Sequence, residues 1–81
     1  MRYEIIWHPK AAKYAEKLPN EISIRVLEKF DELSGDPFRY LEHFEGEGYK
    51  FRVGEYRALI DVDFEKKLLK VRVFDKRGRI Y

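Results

Sequence analysis

From Gly48 onward the chain alternates apolar and polar positions in three short segments. In the first, Phe51 and Val53 share one face while Lys50 and Arg52 share the other. In the second, Tyr56, Ala58, Ile60, Val62 and Phe64 share a face, leaving Arg57, Asp61 and Asp63 opposite with Leu59. In the third, Leu69, Val71 and Val73 oppose Lys70, Arg72, Phe74 and Lys76. A period of two predicts strands with one face to bury and one to show. Paired as a sheet, the three strands gather Lys50, Arg52, Arg57, Arg72 and Lys76 on a single open surface.

The first half of the chain has a different rhythm. Tyr3, Ile5 and Trp7 alternate with Arg2, Glu4, Ile6 and His8, which predicts a short first strand. Pro9 suits the first position of a helix, where a missing N–H costs nothing. A helix over residues 10–18 stacks Ala11, Tyr14, Ala15 and Leu18 along one side. Leu18-Pro19-Asn20 breaks it, and a second helix follows with Ile22, Val26, Leu27, Phe30 and Leu33 at helical spacing. Ser34-Gly35-Asp36-Pro37 ends that helix, with Gly35 placed for a left-handed C-cap and Pro37 barring continuation. Residues 38–47 read as irregular, with Phe38, Leu41 and Phe44 as anchors. Val53-Gly54-Glu55-Tyr56 predicts a tight hairpin and residues 64–68 a looser one.

The order is therefore strand, two-helix hairpin, then a three-stranded antiparallel meander. This is an α+β layer fold, one mainly antiparallel sheet with helices on one face, in a single domain over residues 1–81. The chain has no cysteine, and its two histidines lie in no metal-ligand spacing, so neither disulfides nor a metal site is expected. With 81 residues, the core must come from packing, which the 16% aromatic content can supply. No leader pattern and no long apolar run stands in the sequence, so a soluble cytoplasmic protein without membrane contact is expected.

Charge sharpens the picture. Residues 1–47 hold 7 Lys/Arg against 10 Asp/Glu, whereas residues 48–81 hold 10 against 5. The net charge of +2 conceals this division. A basic cluster on an open sheet is what a polyanion needs, which points to nucleic acid.

The order of elements, the run YKFRVGEYRALIDVD and the ending FDKRGRIY resemble the RelE/ParE toxin superfamily, and within it the RelE-like messenger-RNA interferases. The resemblance rests on Trp7-His8-Pro9 and Leu18-Pro19, on Tyr49-Lys50-Phe51-Arg52, on Arg52-Val53-Gly54-Glu55-Tyr56-Arg57, and on Arg77 near the terminal Tyr81. It covers nearly the whole chain and is most specific in the Tyr49–Arg57 run. It implies the toxin of a type II toxin–antitoxin system, a metal-independent endoribonuclease that cuts messenger RNA in the ribosomal A site. It also implies a RelB-like antitoxin as partner, the ribosome and its message as target, and no cofactor.

Carried over residue by residue, the resemblance implies that Lys50 and Arg52 supply basic groups to the scissile phosphate and that Arg57 contacts phosphate. Arg77 falls on an arginine that stabilises the phosphate and protonates the leaving group, and Tyr81 on a tyrosine that orients or stacks a base. Lys70, Arg72, Lys76 and Arg79 are candidates for binding RNA or the ribosome. The chain departs from the pattern at Arg52, where some members place a lysine general base, and at Lys76, where many place histidine. Arginine is a poor base.

Cleavage by the neighbouring 2′-hydroxyl needs that hydroxyl deprotonated, the added phosphate charge neutralised and the leaving 5′-oxygen protonated. Arginine forks meet the second need, because their donors match phosphate oxygens in pairs. Plainer roles stand beside these. Arg57 can pair with Asp61 or Asp63 across the sheet, and the other cations can be a solvated face or edge charges that oppose aggregation. Two further functions remain open: a ParE-like, non-catalytic inhibitor of DNA gyrase, and a catalytically weak RNA-binding relative.

Overall fold

The computed structural model describes residues 2–44 and 48–76. Strand β1 (Glu4–Trp7) leads into helices α1 (Pro9–Glu16), α2 (Asn20–Gly35) and the single-turn α3 (Pro37–Tyr40). Strands β2 (Glu42–Phe44), β3 (Gly48–Val53), β4 (Tyr56–Asp63) and β5 (Leu68–Lys76) complete it. They form one five-stranded sheet in the order β1-β5-β4-β3-β2. Every pairing is antiparallel except β1 with β5, which the helical crossover makes parallel. Among the described residues no helix is long and apolar enough to cross a membrane.

The core lies between the helices and one sheet face. Val26, Phe30 and Leu33 of α2 and Ala11 of α1 meet Phe51, Val53, Ala58, Ile60, Leu69, Val71 and Phe74, all buried. Aromatic rings carry much of this contact. Phe30 lies 4.8 Å from Trp7 and 5.1 Å from Phe51, and Phe74 stacks on Tyr56 at 5.6 Å. Rings of this size bury enough area for a small domain to hold without cross-links. Leu27, expected on the apolar side of α2, is exposed.

The local signals act where they were expected, with a few differences. Pro9 opens α1, and the His8 side chain caps it, accepting from the Lys10 amide at 3.3 Å. Gly54 takes φ +58° at the first central position of the β3–β4 hairpin, a conformation that glycine adopts without steric cost. Gly35, by contrast, stays within α2, and Asp36 is the C-cap at φ −155° and ψ 73°, so the expected left-handed glycine cap does not form. The stretch after Pro37 is also more ordered than expected: it holds α3 and the edge strand β2.

A β-bulge changes the register of the last strand. Between Leu59 and Ile60 the partners on β5 step from Val73 to Val71, leaving Arg72 as the extra residue. Past the bulge the alternation reverses. Phe74 pairs with Ala58 and is 2% exposed, whereas Val73 pairs with Leu59 and is 39% exposed. The expected faces of Val73 and Phe74 are therefore exchanged.

Candidate functional site

Burial of Phe51 and Val53 against the helices forces Lys50 and Arg52 onto the open face of β3. The register puts Arg57 of β4 directly across from Arg52, and Lys50 across from Leu59. On β5, Asp75 stands across from Arg57, and Lys70 across from Asp61. Lys50, Arg52, Arg57, Lys70 and Arg72 thus share the open face. Lys76 does not. Its partner is Tyr56, a core-facing residue, so the bulge carries Lys76 to the helix side. Arg77, Arg79 and Tyr81 lie outside the described residues.

Carboxylates are interleaved with these cations. Arg52 Nε lies 3.6 Å from Glu42 Oε2, and Arg72 Nε lies 2.7 Å from Asp61 Oδ2. All four side chains are about half exposed. Ion pairs in that setting contribute ~0–1 kcal/mol. A phosphate can therefore displace Glu42 from the longer pair at small cost. Lys50 Nζ sits 5.6 Å from the centre of the Phe44 ring, a cation–π contact.

Arg57 has a different setting. It is 4% exposed, and its Nη1 donates to the carbonyls of Gly54 at 3.0 Å and Tyr56 at 2.9 Å. A buried guanidinium needs such partners, since losing water without replacement is costly. These bonds tie the side chain to the hairpin that carries Arg52. Asp61, one of the two carboxylates weighed as a partner for Arg57, is paired with Arg72.

Sequence reasoning missed Glu42 and the ordered β2 that presents it. Glu42 stands across from Lys50, next to Arg52, yet it lay in a stretch without a clear period. It also missed the burial of Arg57, which no alternation pattern signals.

The comparisons with known proteins agree with the fold. The RelBE2 toxin–antitoxin complex from Mycobacterium tuberculosis superposes with a TM-score of 0.84 and 27% identity, covering 95% of this chain and 100% of that chain. The archaeal RelE–RelB complex from Pyrococcus horikoshii OT3 gives 0.79 and 28%, covering 98% and 99%. The free E. coli RelE toxin, with two arginines replaced by alanine, gives 0.80 and 21%, covering 99% and 88%. No family model and no curated protein matches the chain.

Proposed function

From the RelE-like toxin fold that this chain adopts, we propose that the protein is the toxin of a type II toxin–antitoxin pair and an endoribonuclease that cuts messenger RNA in the ribosomal A site. The observation that carries this reading is the full-length match to RelE toxins joined to Lys50 and Arg52 on the open sheet face. A RelB-like antitoxin is the proposed partner, and the cytoplasm is the proposed location.

In this reading the message lies across the open face with its scissile phosphate at Lys50 and Arg52. Arg52 exchanges Glu42 for phosphate oxygens, and its fork stabilises the charge that grows as the 2′-oxygen attacks. Lys50 adds a second cation. Arg57 fixes the hairpin and so the distance between strands. Arg77 would neutralise the phosphate and assist the leaving 5′-oxygen, while Tyr81 would stack a base. Such a site relies on positioning, and the ribosome-bound message supplies the orientation. The burial of Arg57 favours a second reading, an RNA-binding relative with weak catalysis, because it withdraws one cation from the phosphate.

Mapping cut sites on messages bound to translating ribosomes tests the proposal. Cuts confined to A-site codons support it. Bound but uncut message favours the weaker relative, and inhibited gyrase with intact message favours a ParE-like inhibitor.

A further inference from the structure

A cleft of about 320 Å³ opens where β1 runs into α1, beside the β5 bulge. Ile6, Trp7, His8, Pro9 and Val71 line it, with Trp7 and Val71 packed toward the core. Its rim holds Lys70, Arg72 and Asp61. The volume is near the lower end of ligand-sized pockets, ~300–1,000 Å³, enough for one planar ring system and too small for a helix. The bulge creates this arrangement: as the extra residue of β5, Arg72 reaches Asp61 at 2.7 Å and holds the carboxylate at the rim. A carboxylate has about four acceptor positions, so Asp61 keeps acceptors for a ligand while bound to Arg72.

A cleft with an apolar floor and two cations and one acceptor at its mouth fits a nucleotide. We propose that this cleft is a second nucleotide subsite for single-stranded RNA, resting on the RNA-directed function proposed above. The base lies against Ile6 and Pro9 at the mouth of the cleft, and its phosphate meets Lys70 and Arg72. Asp61 accepts from the exocyclic amino group of adenine, cytosine or guanine. Uracil presents a carbonyl oxygen where adenine or cytosine has an amino group, and two acceptors facing each other repel. Asp61 is thus a specificity-determining residue. Strand β5 is two strands from β3, roughly 10 Å away, so one RNA chain can lie over Lys50 and Arg52 and place a flanking nucleotide here.

The test uses the purified toxin and end-labelled RNA hexamers of adenosine, cytidine or uridine, with affinities measured over a range of salt concentrations. The A and C hexamers should bind about tenfold more tightly than the U hexamer. Asp61→Ala should bring that ratio to about twofold or less. Lys70→Ala should weaken all three hexamers and lower the salt slope by about one phosphate contact. The Ile6 methyl resonances should shift when the A hexamer is added, and Ile6→Trp, which fills the cleft, should bring the A-to-U ratio to about twofold or less. Equal affinity for the three hexamers, a preference that survives Asp61→Ala, or no hexamer binding would overturn the subsite. The outcome is separable from the cleavage reaction: a toxin that cuts ribosome-bound message without any hexamer preference loses the subsite alone. One that keeps the preference but leaves message intact loses the nuclease assignment alone.

Discussion

Arg52 and Arg57 face each other across the β3–β4 hairpin on the same side of the sheet, yet one is exposed and the other is not. Like charges set directly opposite each other destabilise a sheet. Here Arg57 donates to two backbone carbonyls of the hairpin, while Arg52 turns to Glu42. The pair divides its work: one cation holds the turn and the other is available to an anion.

That division predicts a stability effect at Arg57. Arg57→Ala removes two charge-assisted bonds to carbonyls of the hairpin. The loss should be about 2 kcal/mol, lowering the melting temperature by roughly 8–16 °C for a domain of this size. Arg57→Lys should recover part of it at most, since a single ammonium lacks the planar fork. Thermal unfolding of the purified protein reads both changes.

The bulge predicts an asymmetry between neighbours. Phe74→Ala should cost about 3–5 kcal/mol, because the ring packs on Trp7, Tyr14, Phe30 and Tyr56. Val73→Thr, one residue away, should stay within about 0.5 kcal/mol, since that side chain is on the open face. Unbroken alternation along β5 would give the reverse ranking in denaturant titrations.

The Arg52–Glu42 pair predicts opposite effects from its two members. Arg52→Ala should weaken binding to ribosomes and reduce the salt slope by about one. Glu42→Gln should strengthen binding about two- to threefold, because Arg52 no longer exchanges a carboxylate for a phosphate. Equilibrium binding at several salt concentrations checks both.

Phe38 and Phe64 stack at 5.5 Å with nearly parallel rings, joining α3 to the β4–β5 turn. Both rings are about half exposed. Phe64→Ala should therefore cost about 1 kcal/mol, with its effect confined to faster amide exchange in α3. Hydrogen exchange followed residue by residue would show whether the change stays local.

The alternation after Gly48 and the helical spacing of Val26, Phe30 and Leu33 made the layer order legible in the sequence, because both elements bury one face. The bulge was not legible. One extra residue, Arg72, leaves no compositional mark, and it exchanges the faces of every residue beyond it. Strand β2 was hidden for another reason: it has three residues, too few to show a period, and Glu42 faces out beside the cations it tempers. In the candidate site, Lys50 and Arg52 were legible from alternation alone. Arg57 shares their face as expected, but its burial depends on backbone carbonyls at Gly54 and Tyr56, which every sequence has and no residue type reports.

The central claim is that the basic face cuts RNA held by the ribosome, and one measurement tests it most directly. Single-turnover cleavage would be followed on ribosomes programmed with a defined message, comparing the wild-type protein with Arg77→Ala and Arg52→Ala. The account predicts cuts within the A-site codon by the wild type. Arg77→Ala should lose about 10²–10³-fold or more in rate while ribosome association persists, and Arg52→Ala should lose both rate and association. Intact message with the wild-type protein, or wild-type rates in both variants, would contradict it.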